Sequence, residues 1–478
     1  MPIFSSNYLT QFSKAMHDAQ TAEVRETLWQ DVENPIIEDI PDQTDKLVTI
    51  LYRLSDDELD GKTSIYFLSG VAGYDFTEKS KFSVIPQTDI AYISLVLPCQ
   101  LRGAYNLVKR HDDDSLPVVD VDLEPICYPK AIGESAKFDA LLNDLFAKDL
   151  VITDPCNKNQ IVYYKDMDNP DEIYGKESIL ELPLAPCLKD IPTSFEAVKL
   201  ARFQLRARGR LLQDKIQFSD TCLRSVSGYS EPELTRKYWV YLPPDYDHSA
   251  SDGYPLLLLL DGSSYIDYIP AHCILEKMIS DEVIPPCVAV FFDSPDGAQR
   301  GIEYNCNAQF TEFLAQDFMQ ILRVKHQLNI TADSNQSTVI GASYGGLAAF
   351  YLGLTRPDIF GHVIAQSPAF LAQPLAVLDK MILDFAEKNK MSSFVLEIGR
   401  YENNEVEFEF EDGTVQKTSS FDVVRHIYEY MQAQEIPTTF HEFVGGHNYV
   451  CYRVSLYDRI KEVCDHMLHD DARHSPRH

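Results

Sequence analysis

Ser337-Thr338-Val339-Ile340-Gly341-Ala342-Ser343-Tyr344-Gly345-Gly346-Leu347-Ala348-Ala349-Phe350 is the stretch on which the reading of this 478-residue chain turns. Thr338-Val339-Ile340 is β-branched and suits a buried strand. Gly346 to Leu352 is apolar and favours a helix. Between them, Gly341-Ala342-Ser343-Tyr344-Gly345 has the G-x-S-x-G form of a sharp strand-to-helix turn, which lifts a serine hydroxyl above a sheet. Glycines two positions either side of the serine let backbone pass close to backbone where a Cβ would not fit. The same five letters occur by chance in many proteins. The strand before and the helix after are what make Ser343 a candidate nucleophile.

Outward from this turn, the chain from about Gln213 alternates apolar strands with amphipathic helices. Strands are expected at 214–219, 238–242, 256–261, 287–293, 337–342, 362–367, 394–399 and 438–443. Helices are expected at 271–279, 310–324, 346–354, 375–387, 421–433 and 454–467. Continuous apolar strands alternating with helices predict an α/β fold, a mostly parallel, doubly wound sheet covered on both faces. In such sheets chemistry gathers at the carboxyl ends of the strands, where Asp261-Gly262, Asp293, Ser343 and Gly399 fall.

A serine hydroxyl becomes nucleophilic when a histidine takes its proton and a carboxylate orients that histidine. The chain order for this fold is serine, acid, histidine. His362 opens a strand, His426 lies in a helix and His441 sits within a strand, whereas His447 follows Gly445-Gly446 just past the last strand, in a loop able to reach a serine. Glu402 is the first carboxylate beyond strand 394–399 and Glu405 the second; both stay open as the acid. One oxyanion donor is expected from the backbone of Tyr344 and the other from Gly262 or Ser263.

Earlier residues read differently. A helix is expected over 12–32. Short runs rich in β-branched and aromatic residues at 47–53, 63–68, 91–97 and 103–108 read as an antiparallel sandwich. A further helix is expected at 138–146, and the stretch Lys199 to Arg210 reads as a linker. Asp112-Asp113-Asp114 lacks the Gly and Glu of a calcium loop and reads as a solvated charge run. The expected organisation is 1–190 for the N-terminal helix and sandwich, 191–212 for the linker, 213–468 for the catalytic domain and 469–478 for a polar disordered tail.

A chain this long exceeds the roughly 250–300 residues at which one core stops growing, in keeping with two domains. A net charge of −31 argues against nucleic acid and anionic membrane surfaces as partners. No apolar run approaches a membrane span and no secretory signal is readable. The ten cysteines show no C-x-x-C pair and read as free thiols in a reducing cytoplasm, where the protein is expected.

The chain resembles the enterochelin (enterobactin) esterase family, whose members open the trilactone of ferric catecholate siderophores. The C-terminal part of the likeness runs through Arg236–Pro243, Leu257–Gly262, Ile284–Pro286, Arg300–Phe310, Gly341–Ala349, Ser367-Pro368, Leu396–Glu402 and Gly445–Arg453. The N-terminal part rests on Leu28–Val32, Pro35–Glu38, Val48–Arg53, Leu101–Tyr105, Asp154-Pro155-Cys156-Asn157 and Leu180–Pro183. The resemblance implies an immunoglobulin-like sandwich ahead of an α/β-hydrolase domain. It implies Ser343, His447 and Glu402 as nucleophile, base and acid, and Arg300, Glu303, Asn307, Arg453 and Tyr265 near the substrate, with structural ion pairing the other reading of Arg300 and Arg453. The chain differs from the family pattern at Ser263-Ser264-Tyr265, Asn448 and Tyr452.

The expected activity is serine-dependent hydrolysis of a small-molecule ester or lactone, a ferric siderophore being the substrate the resemblance implies. The chemistry calls for no metal or organic cofactor. An esterase for an acylated phenol, sugar or thiol and a non-catalytic siderophore-binding protein are the alternatives.

Overall fold

The computed structural model describes residues 5–59, 61–71, 76–111, 130–131, 145, 148–164, 173–188, 191, 209–217, 235–294, 297–388, 392–410 and 412–474. The acidic triplet 112–114, almost all of helix 138–146 and residues 199–208 of the expected linker lie outside them. Two compact units emerge: Met1–Val121 with Ile132–Cys187 and Val444–Cys451, and Asp122–Ala131 with Leu188–Phe443 and Tyr452–His478.

The first unit begins with helices Asn7–Asp18 and Ala22–Gln30. One continuous helix was expected here. Thr21 is extended instead, and its side chain accepts the Val24 N–H, so it caps a second helix. Strands β1 (Ile36–Asp39), β2 (Lys46–Arg53), β3 (Thr63–Leu68), β4 (Ser83–Val84), β5 (Ile90–Leu97) and β6 (Arg102–His111) follow. β7 (Lys130–Ala131) belongs to the second unit, and β8 (Val151–Ile152), β9 (Gln160–Tyr164) and β10 (Ile173–Glu181) complete the first.

These strands form two antiparallel sheets, ordered β1-β2-β5-β4 and β3-β6-β10-β9 with β8 on β6. One buried carboxylate ties them together. Asp154 accepts from the Asn34 amide at 2.9 Å, the Tyr105 hydroxyl at 2.6 Å and the Cys156 N–H at 2.8 Å. Asn34 also exchanges hydrogen bonds with the backbone of Leu51 in β2, while Tyr105 lies on β6. Burial pushes the Asp154 carboxyl above its ordinary value, and these donors pull against that rise. Asp154-Pro155-Cys156-Asn157 is therefore a joint within the sandwich.

In the second unit the strands are β11 (Arg210–Gln217), β12 (Thr235–Leu242), β13 (Leu256–Leu260), β14 (Val288–Phe292), β15 (Ser337–Ala342), β16 (His362–Gln366), β17 (Ser393–Gly399) and β20 (Thr438–Phe443). They form one sheet ordered β11-β12-β14-β13-β15-β16-β17-β20. β12 pairs antiparallel with both β11 and β14, and the remaining neighbours pair parallel. The five leucines of β13 are at most 2% exposed, as a strand covered on both faces requires. Helix Tyr344–Thr355, with ten of its twelve residues buried, joins β15 to β16 as an interior helix.

Several elements depart from expectation. The helix expected over 310–324 is interrupted by a π-helical turn at Phe313–Phe318, between helices Ala308–Glu312 and Met319–Val324. The wider turn suits residues five apart, and it brings together the fully buried, mutually tilted rings of Phe313 and Phe318 with centroids 6.1 Å apart. Helices Gly262–Asp267 and Gly297–Tyr304 were not expected, nor was the hairpin of β18 (Val406–Glu409) and β19 (Val415–Thr418), which pairs with β7. All are too short for a clear period. The last helix, Tyr449–His474, starts earlier than expected and continues into the tail expected to be disordered.

All eight cysteines among the described residues are free. Burial pushes the thiols of Cys156, Cys273, Cys306 and Cys464 up to about 12, so they stay protonated at neutral pH. Among the described residues no helix is long and apolar enough to cross a membrane.

Candidate active site

β15 ends at Ala342, and the backbone reverses at Ser343 with φ 56° and ψ −122° before helix Tyr344–Thr355 begins. A positive φ on a residue with a Cβ costs on the order of 1–3 kcal/mol and is held only by its surroundings. Here they hold it from both sides. The Ser343 N–H donates to Gln366 O at 3.0 Å, and Ser343 O accepts from the Ala369 N–H at 2.9 Å. Ser343 is partly exposed while Ala342 and Tyr344 are buried, so the turn presents the serine and hides its neighbours.

The residues expected to supply oxyanion donors sit at two helix starts, where N–H groups lack intrahelical acceptors. Tyr344 opens the helix after the nucleophile. Gly262 opens helix Gly262–Asp267 at the carboxyl end of β13, after Asp261 in a left-handed conformation. The Ser263 N–H is already committed to Asp293 Oδ1 at 3.1 Å, which favours Gly262 of the two candidates. A Cβ on Gly262 would stand 2.6 Å from the backbone of Phe291, so that start lies directly against β14. Burial, with Asp261 nearby, raises the Asp293 carboxyl above its usual range.

Asp261, marked by sequence only as lying at a strand end, organises this end of the sheet. Its carboxylate takes Arg300 in a two-pronged pair, Nε and a terminal guanidinium nitrogen each at 2.7 Å, and the Ser294 hydroxyl at 2.6 Å. The same guanidinium lies 5.6 Å from the ring centroids of Tyr304 and Tyr344. Of the two readings open for Arg300, the geometry supplies the ion pair.

Glu402 follows β17 by three residues. Its Oε1 accepts from the Gly399 N–H at 2.9 Å and from the Ser367 hydroxyl at 2.6 Å. Its own peptide is fixed at both ends, N–H to Gly399 O and carbonyl to the Phe421 N–H, each at 3.0 Å. Glu405 is exposed, with Lys417 3.6 Å away. The two candidate acids thus differ sharply in order.

His447 lies in an exposed bend on Val444–Cys451, the segment counted with the sandwich unit. There the Arg102 N–H donates to Val444 O at 3.0 Å and the Cys451 thiol to Arg102 O at 3.2 Å. Asn448, where the family pattern has Asp, accepts the Cys451 N–H at 3.2 Å and so caps the last helix. Asn and Asp serve about equally well as caps, so Asn448 fills that role as an Asp would.

Three residues expected near the substrate are taken up by the fold. Glu303 is 1% exposed and paired with Arg236, itself 3% exposed. Asn307 caps helix Ala308–Glu312, its side chain accepting from the Gln309 and Phe310 N–H groups. Tyr265 is 1% exposed and donates its hydroxyl to Gln366 Oε1 at 2.8 Å. Spacing could not reveal this, because a buried ion pair and a ligand-binding pair use the same residue types. Arg453 is buried at 4% exposure in the last helix. Glu303→Gln, which leaves Arg236 charged inside the fold, is expected to cost about 3–5 kcal/mol of stability, read as a lowered chemical-denaturation midpoint.

Among the described residues no group of three or more His, Cys, Asp or Glu is placed to hold a metal ion. Gln366 and Ser367 were missed as supports of the site. Their signal was present in Ser367-Pro368, directly past the strand next to β15.

An eight-stranded, mostly parallel sheet with a serine at the strained turn after β15 defines an α/β-hydrolase. The Esterase family matches residues 230–463. Iron(III) enterobactin esterase of Dickeya dadantii is 25% identical over 400 residues, covering 82% of this chain and 81% of that protein. Iron(III) salmochelin esterase of Escherichia coli O6:H1 is 23% identical over 393 residues, 82% of each chain. The fold is shared with the enterobactin esterase of Shigella flexneri crystallised in the presence of enterobactin, at TM-score 0.64 and 21% identity over 92% of this chain and 97% of that one. Together these matches support the enterochelin esterase family.

Proposed function

We propose that this protein is a cytoplasmic serine esterase that opens the ester bonds of a siderophore of the ferric enterobactin type through an acyl-enzyme. The partly exposed Ser343, held at positive φ between a buried strand and a buried helix, carries the reading. Likeness to iron(III) enterobactin and salmochelin esterases over four fifths of the chain supports the substrate class.

In this reading Ser343 Oγ attacks the ester carbonyl while His447 takes its proton and Glu402 orients the imidazole. The N–H groups of Tyr344 and Gly262 stabilise the tetrahedral oxyanion. Collapse breaks the acyl C–O bond, and His447 returns the proton to the departing alkoxide. Water, deprotonated by His447, then attacks the acyl-enzyme and releases Ser343 with a carboxylic acid. Iron enters only as part of the substrate. Nucleic acid and membrane are not partners, given the net charge of −31.

Mass spectrometry after incubation with ferric enterobactin, iron-free enterobactin and an aryl ester tests this. Linear products are expected from enterobactin, their summed mass exceeding that of the trilactone by one water per ester bond opened. Turnover of the aryl ester alone would transfer the protein to a general esterase role. Ligand retention without any product would make it a binding protein.

A further inference from the structure

We infer that Ser367 is a positioning residue for the catalytic carboxylate, and that the turn Gln366–Ala369 holds nucleophile and acid as a single piece; the inference rests on the assignment of Ser343 and Glu402 above. Ser367 is 1% exposed with φ 41°, a conformation that glycine would adopt with less strain. A serine in this position supplies a hydroxyl, and that hydroxyl donates to Glu402 Oε1 at 2.6 Å. The Gly399 N–H falls on the same oxygen at 2.9 Å.

The backbone of the same turn grips the nucleophile. Gln366 O accepts the Ser343 N–H, and the Ala369 N–H reaches Ser343 O. Between these two bonds, the Ser367 N–H donates to Glu397 O at 2.8 Å. Four consecutive residues therefore fasten both peptide flanks of Ser343 and one oxygen of Glu402.

The turn is itself supported by buried side chains. Gln366 receives the Tyr265 hydroxyl and donates to Glu397 Oε1 at 2.7 Å and to Ser455 Oγ at 3.0 Å. Glu397 also accepts from the Ser455 hydroxyl at 2.6 Å, and Arg459 stands 3.7 Å away. This network explains the burial of Tyr265, and it makes the strand end after β16 rigid enough to transmit position to the acid.

The test compares Ser367→Ala and Ser367→Gly, each alone and combined with Glu402→Gln. Turnover of p-nitrophenyl acetate and thermal unfolding are measured for every variant. The glycine variant relieves the backbone, so a loss of activity in it cannot come from strain. Both single variants are expected to lower kcat roughly tenfold with KM within about twofold and an unchanged melting temperature. In the Glu402→Gln background, removing the hydroxyl is expected to cost little more, because the two groups act together. Unchanged kcat in both Ser367 variants beside a crippled Glu402→Gln enzyme would overturn the inference and leave Glu402 as the acid. A KM rise at constant kcat would also overturn it, by moving Ser367 to substrate binding. Near wild-type turnover by Glu402→Gln would remove the acid assignment and the inference with it.

Discussion

Ser343→Ala is expected to lower kcat for ester hydrolysis by about 10⁴-fold or more while leaving the protein folded. Alanine tolerates φ 56° about as well as serine does, and the bonds that hold the turn are all backbone bonds that the substitution keeps. Only the reacting oxygen is lost. Rate measurements on enterobactin and on an aryl ester, with circular dichroism to confirm folding, decide the matter. Covalent labelling by a fluorophosphonate should disappear in the same variant. Hydrolysis at an undiminished rate would exclude an acyl-enzyme on Ser343 and require a different nucleophile.

Gly341→Ala is expected to have the largest effect on stability. A Cβ at this position would stand 2.1 Å from Gly345 O and 2.2 Å from Gly345 C. Ordinary contacts begin near 3.4 Å, and both obstructing atoms are backbone, so no side chain can swing aside. The turn can accept the methyl only by opening, which pulls apart β15 and the helix that begins at Tyr344. A loss above about 4 kcal/mol follows, a large part of the 5–15 kcal/mol that a typical domain possesses. The variant should be insoluble or show a strongly depressed melting temperature. Gly103→Ala, where nothing lies within 4 Å, is the matched control and should change stability by no more than about 1 kcal/mol. A Gly341→Ala protein that melts like wild type would show that the elbow has room for a methyl group and refute the close approach of Gly341 to Gly345.

The long elements were legible because burial on both faces leaves an unbroken apolar record, as in Leu256–Leu260 and Val288–Phe292. The elbow was legible for a different reason. Gly341 is forced by the backbone of Gly345, and Gly345 by the Asp261 carboxylate, which would stand 2.8 Å from its Cβ; both constraints survive in sequence. Short helices such as Gly262–Asp267 left no trace, since six residues hold fewer than two turns and serine carries no period. The supporting polar residues were also hidden. Nothing in spacing tells that Arg300 is spent on Asp261, or Glu303 on Arg236, because the partner is set by tertiary packing across many residues. Chain order leaves two glutamates open as the acid, and the hydroxyl that binds one of them, that of Ser367, comes from the turn after another strand.

The leucine strand β13 bears on how the chain is made as well as on how it is held. It pairs with Val288–Phe292 on one side and with Ser337–Ile340 on the other, so one edge stays unpaired until some eighty further residues have been synthesised. An uncharged run of five leucines left waiting is an aggregation hazard. Pro255 and Asp261 stand at its two ends, the kind of residues that block strand addition and break an apolar run. The carboxylate that later clasps Arg300 thus guards the nascent polypeptide first, and its loss would be felt in the yield of soluble protein before any assay of turnover began.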